Sequence, residues 1–272
     1  YSRECYHAER LFSKARDGES IPVSLVYRRD RFQKNRCPLL LYAYGSYGMS
    51  IDPWFSTNRI SLLDRGFVFA IAHIRGGSEM GRQWYEAGRQ KDKLNTFYDY
   101  IDVGKDLLAS GYAKESGLYG MGGSAGGLLM GAVANLAPNL FKGLIAEVPF
   151  VDVISTMLDD SIPLTTAEYD EWGNPHEKED FNYMMQYSPF DNVVPGPFPN
   201  LLVLTGFHDS QVQFWEPAKW VAKLRDLKDP KSLILFKTNF DAGHSGSSGR
   251  FSALREVCDI YGFLLQLEGI SA

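Results

Sequence analysis

Histidine and cysteine are both scarce in this chain: five and three in 272 residues. Cys5, Cys37 and Cys258 are odd in number and far apart, which gives neither a disulfide framework nor a metal cluster. No apolar run approaches the roughly 18 residues that a membrane-spanning helix needs. Charges of both signs are interspersed and the net charge is only −5. Neither nucleic acid nor an anionic membrane surface is therefore an expected partner. Internal repeats, low-complexity tracts and an N-terminal charged-then-apolar leader pattern are all missing as well. With the scattered thiols, these absences lead us to expect a cytoplasmic protein that uses no metal or cofactor. What is present is a 44% hydrophobic composition, in a length that can bury one large core.

Strand-like and helix-like segments alternate along the chain. Residues 9–15 and 21–28 flank Asp17-Gly18 and read as a β-hairpin. Six core strands are predicted at 38–44, 67–72, 117–121, 143–148, 201–205 and 232–237. The clearest helical stretches are 95–109, 124–136, 216–227 and 250–267. This alternation predicts an α/β fold: a mainly parallel, doubly wound sheet with helices on both faces and an antiparallel N-terminal hairpin. Trp215, Trp220 and Leu224 lie on one predicted helix and read as core. Residues 152–200 are acidic, aromatic and proline-bearing, and they interrupt the alternation. That segment is expected to cross the mouth of the site. The chain opens at Tyr1 directly on hairpin material, as expected of a piece of a longer protein.

The most informative pattern is Gly122-Gly123-Ser124-Ala125-Gly126-Gly127, between an apolar strand-like run and an Ala/Leu/Met-rich helical one. It has the form of a nucleophile elbow, a sharp strand-to-helix turn that pushes one serine hydroxyl into the open. Such a turn needs strained dihedrals and close backbone approach, which glycine permits. Alone the pattern is weak, since a chain of this composition contains it about 0.2 times by chance. Context decides. An elbow serine needs an acid and then a histidine, each just beyond a later strand. Only His176, His208 and His244 follow Ser124, and His176 sits in a polar stretch ahead of any strand-end acid. Asp209 stands just past the strand at 201–205, and His244 is the one histidine beyond it. The order Ser124, Asp209, His244 follows. In such a trio the imidazole takes the serine proton during attack, and the carboxylate fixes its tautomer. The backbone N–H of Ala125 is one expected oxyanion donor, and the loop 45–48 should bring the other. Tyr44, at the end of the strand before that loop, reads either as a phenolic donor or as packing.

The blocks YGSYGMSID (44–52), RGFVFAIAHIRGGSEMGRQWYEAG (65–88), GGSAGGLLMGAV (122–133), GFHDSQVQFWEPAKWVAKLR (206–225) and GHSGSSGR (243–250) span the chain. In them the chain resembles the prolyl oligopeptidase family, its oligopeptidase B branch in particular. The resemblance implies an α/β-hydrolase domain, a serine endopeptidase acting on short peptides. It also implies an N-terminal β-propeller partner domain absent from this chain, and it allows for an oligomer. Ser124, Asp209 and His244 match the family triad, and Tyr44 matches the tyrosine that completes the oxyanion hole. In TTAEYDEW, Glu168 and Asp170 match two carboxylates credited with binding a Lys or Arg side chain. A guanidinium has a planar fork of donors that suits more than one acid. Asp170 is one methylene shorter than the glutamate usual there. Asp52 matches an acid for the second substrate residue, while Trp54 stands where a further acid is usual. Gln211 replaces an arginine of the proline-cleaving members, so the resemblance implies short basic peptides as substrates. RGGSE (75–79) is expected to be a turn and packing element.

Overall fold

The computed structural model describes residues 1–271. Its strands are β1 (Tyr6–Lys14), β2 (Ser20–Arg28), β3 (Leu39–Tyr42), β4 (Val68–Ala72), β5 (Leu118–Gly123), β6 (Gly143–Glu147), β7 (Asn200–Gly206) and β8 (Ile234–Asn239). They form one sheet in the order β1-β2-β4-β3-β5-β6-β7-β8. β1 and β2 make the expected antiparallel hairpin, and β2 runs antiparallel to β4. Every pair from β4 onward is parallel. This is the mainly parallel sheet that the alternation predicts, in the α/β-hydrolase arrangement that the resemblance implies.

The helices are α1 (Thr57–Asp64), α2 (Arg82–Glu86), α3 (Lys93–Ala109), α4 (Ala125–Leu136), α5 (Val153–Met157), α6 (Tyr169–Trp172), α7 (Lys178–Met184), α8 (Trp215–Leu227) and α9 (Arg250–Glu268). Because successive strand residues face opposite ways, each buried strand feeds two cores. Leu39, Leu41 and Leu144 face Phe97 of α3, Leu128 of α4 and Trp220 of α8. Leu40, Tyr119 and Ile145 face Leu63 of α1 and Phe263 of α9. Cover on both faces explains the unbroken apolar strand sequences such as Val68–Ala72, buried throughout.

One reading changes. Trp220 and Leu224 are fully buried, but Trp215 is 46% exposed. Five residues along an α-helix rotate a side chain by about 140°, so 215 and 220 face different ways while 220 and 224 share a face. The short helices α1 and α2 are not predicted by the sequence pattern. Residues 152–200, inserted between β6 and β7, fold into α5, α6, α7 and a 3₁₀ turn, Thr165–Glu168.

Strand order fixes where a site can form. From β3 the chain steps to β4 on one side, and β5 returns to the other side of β3. The carboxyl ends of β3 and β5 therefore border the crevice in which open α/β sheets bind ligands. Tyr42 and Met121 are register partners there, which puts Tyr44 and Ser124 across the same gap. No helix among the described residues is long and apolar enough to cross a membrane.

Candidate active site

Ser124 stands between β5 and α4 with φ 56° and ψ −116°, outside the regions open to most L-residues. Hydrogen bonds on both sides over-determine this strain. The Ser124 N–H donates to the Glu147 carbonyl at 2.8 Å, and its carbonyl accepts from Gly127 at 2.8 Å and Phe150 at 3.2 Å. The glycines around it are steric necessities. A Cβ on Gly122 would lie 2.3 Å from the Gly126 carbonyl oxygen, and one on Gly127 would lie 2.5 Å from Pro149.

Two later loops converge on this serine. His244 Nε2 is 3.0 Å from Ser124 Oγ, and Nδ1 is 2.8 Å from Asp209 Oδ2. The other carboxylate oxygen of Asp209 accepts the N–H groups of Gln211 and Val212, both at 2.9 Å. One oxygen is thus occupied by backbone, which aims the other at the imidazole. The histidine loop is fastened to α9, since Glu256 Oε1 accepts Ser247 N–H at 3.1 Å and Ser247 Oγ at 2.8 Å. Such a chain can pass a proton from hydroxyl to imidazole while a carboxylate steadies the charge.

A cavity of about 280 Å³ opens beside Ser124 and His244, with Glu147, Leu204 and Asn239 also on its wall. Burial, and then the like charge of Glu256, push the Glu147 carboxyl up to about 7. A larger hollow of about 960 Å³ lies over β1, β2 and α1 and includes none of Ser124, Asp209 and His244.

Tyr44 reaches the elbow because Gly126 packs against the chain before it, where a Cβ would lie 2.9 Å from the Ala43 carbonyl. Burial raises the Tyr44 phenol to about 12, opposed by the nearby Ser124 hydroxyl and reinforced by Tyr42, Glu168 and Glu171. A phenol that stays neutral keeps its O–H available as a donor. Ala125 heads α4, where the first N–H groups have no intrahelical acceptor and the helix dipole favours negative charge.

The acids divide by turn geometry. Glu168 Oε2 accepts the Tyr47 hydroxyl at 2.5 Å and Trp172 Nε1 at 2.8 Å. Glu171 accepts the Tyr47 N–H at 2.8 Å on one oxygen and the Tyr85 hydroxyl at 2.6 Å on the other. Residues three apart on a helical turn share a face, so 168 and 171 both meet Tyr47. Asp170 is exposed between them, and its carbonyl is held by Arg89 at 2.9 Å and Gln90 at 3.0 Å. Asp52 is exposed on the loop before α1, and Gln211 is exposed beside Asp209. The structure therefore gathers Ser124, Asp209, His244, Tyr44, Ala125 and, through Tyr47, Glu168. It leaves Asp52, Asp170 and Gln211 at exposed positions.

The sequence pattern does not single out Tyr47, Glu171 or Lys93. The spacing of 168 and 171 carries a signal for Glu171; nothing in the sequence marks Lys93. The RGGSE turn behaves as expected. A Cβ on Gly76, at φ 96°, would lie 2.1 Å from the Gly45 carbonyl oxygen. Arg75 anchors the turn by forking onto buried Asp99, at 2.9 and 2.5 Å. Among the described residues no group of three His, Cys, Asp or Glu is placed to hold a metal ion.

Comparison with known proteins shows the family. The model of the prolyl oligopeptidase family matches residues 53–270. Dipeptidyl aminopeptidase BI of Pseudoxanthomonas mexicana is 54% identical across all of this chain, which covers 38% of that protein. Protease 2 of Moraxella lacunata is 48% identical across all of it, with 39% of that protein covered. Oligopeptidase B from Trypanosoma brucei, solved in a closed form with covalently bound antipain, superposes with a TM-score of 0.97 at 45% identity. That match covers 100% of this chain and 38% of that one. The chain thus spans roughly two fifths of the length of these relatives, and it belongs to the prolyl oligopeptidase family.

Proposed function

We propose that this chain is the catalytic domain of a serine endopeptidase that cuts short peptides after Lys or Arg. Ser124 attacks the scissile carbonyl while His244 takes its proton, and an acyl-enzyme forms as the amine departs with that proton. Water then repeats the cycle. Asp209 holds the imidazole in one tautomer and stabilises its charged form. The Tyr44 phenol and the Ala125 N–H face the developing oxyanion. Glu168 receives the basic side chain, with Asp170 and Asp52 as further acids around it and Gln211 in place of an arginine. The rest of the full-length protein is a β-propeller that admits only short peptides, and the three free thiols suit the cytoplasm.

The observation that carries this reading is the unbroken hydrogen-bonded line Ser124–His244–Asp209 on a strained elbow. The relative named as a dipeptidyl aminopeptidase raises a second reading, release of dipeptides from a free amino end. N-terminally blocked and free dipeptidyl arginyl amides, assayed side by side with the full-length protein, separate the two. We expect both to be cleaved, and a fluorophosphonate to label Ser124, located by peptide mapping. Cleavage confined to the free-amino substrate would replace the endopeptidase reading. Labelling at another residue would overturn the assignment of the nucleophile.

A further inference from the structure

Beneath the loop that follows β3 lies a charge for which the reaction above has no use. Lys93, the first residue of α3, is 1% exposed. Its Nζ donates to the Gly45 carbonyl at 2.7 Å, to Ser46 Oγ at 2.7 Å and to the Gly88 carbonyl at 3.2 Å. All three ammonium protons are used, two of them on the residues directly after Tyr44. The Trp172 ring stands 5.1 Å from the same nitrogen. Buried Glu171 grips the loop through the Tyr47 N–H, and the Gly48 N–H donates to Gly76 at 3.0 Å. Four consecutive residues are therefore fixed in place. Burying an ammonium costs solvation that only good geometry offsets, and an unbranched apolar chain would fill the space without that cost. It would not reach two loop oxygens at once.

We propose that Lys93 is a positioning residue for the reaction: its ammonium, with Glu171 as a second hold on the same loop, sets where the Tyr44 phenol stands relative to Ser124. This rests on the reading of Tyr44 as an oxyanion donor. None of the hydrogen bonds of Lys93 involves Ser124, Asp209 or His244. Its influence passes through Tyr44.

A double-mutant cycle in the full-length protein tests this, with a blocked arginyl amide as substrate. Tyr44→Phe removes the donor and is expected to lower kcat by about 10² to 10³. Lys93→Met misplaces it and is expected to lower kcat roughly 10- to 100-fold, with KM moved less than about threefold. Once the phenol is gone its placement no longer matters, so the double variant should fall within about threefold of Tyr44→Phe alone. Ser46→Ala removes one acceptor and should give a smaller kcat loss of the same kind, even if Lys93→Met fails to fold. Losses that multiply in the double variant would overturn the proposal. So would lowered thermal midpoints with unchanged kcat in Lys93→Met and Ser46→Ala. Wild-type kcat in Tyr44→Phe would overturn the oxyanion reading itself, and the proposal with it.

Discussion

The Tyr47 phenol donates to Glu168 at 2.5 Å, a length typical of a hydroxyl bound to an ionised carboxylate. This bond ties the loop after β3 to the insertion between β6 and β7. Tyr44 stands three residues upstream on that loop, so the oxyanion side of the site and its acidic wall share one anchor. In the proposed reaction a basic side chain arriving at Glu168 would meet a carboxylate already aimed by Tyr47 and Trp172.

Neutralising that carboxylate separates specificity from chemistry. Glu168→Gln should lower kcat/KM on an arginyl amide by roughly 10- to 100-fold, the worth of a hydrogen bond to a charged group. On a neutral ester the change should stay within about threefold, because the acyl-transfer residues are untouched. Steady-state kinetics on both substrates check this. Equal losses would remove Glu168 from substrate recognition.

The elbow glycines make a contrasting stability prediction. Gly122→Ala forces a methyl against the Gly126 carbonyl and should cost about 1–3 kcal/mol or more, with a fall in kcat. Gly262→Ala places a methyl in open space in the middle of α9 and should stabilise by roughly 0.5–1 kcal/mol. Urea unfolding and one substrate assay measure both. A tolerated Gly122→Ala would mean that the elbow can relax.

Glu216 gives a pH signature. It is buried at the start of α8, where it accepts Thr156 Oγ1 at 2.6 Å and the N–H groups of Val151 and Asp152 at 3.2 and 3.0 Å. Burial pushes its carboxyl from 4.5 up to about 8, against the pull of those hydrogen bonds. Through that window the folded state keeps a proton that the unfolded chain has released. Stability is therefore lost as pH rises from about 4.5 to about 8. Glu216→Gln cannot ionise and escapes the loss. Relative to wild type, the variant should be more stable at pH 8 than at pH 5, by on the order of a few kcal/mol. An unchanged difference at the two pH values would show that Glu216 is ionised in the fold.

Much of the fold and of the site is legible in the sequence. The sheet is readable because each core strand is a short apolar run closed by glycine, proline or polar residues. The hydrogen-bonded trio Ser124, His244 and Asp209 is readable because histidine is scarce and chain order leaves His244 alone beyond Asp209. What escapes depends on side chains meeting across long sequence separations. Lys93 looks like an ordinary charged residue opening a helix, and only the close packing of Gly45, Gly76 and Gly88 makes it a buried clamp. Helices α1 and α2 escape because neither carries a sustained apolar stripe. Trp215 misleads because residues that share a helix need not share a face of it.

The most direct test of the central claim compares blocked Arg, Lys, Pro and Phe chromogenic amides on the full-length protein and on its Ser124→Ala variant. A serine peptidase of the proposed specificity cleaves after Arg and Lys at least about 100-fold faster than after Pro or Phe, and its Ser124→Ala variant loses on the order of 10⁴ or more in kcat. Near-normal turnover by that variant, or equal cleavage after Pro or Phe, would contradict that claim.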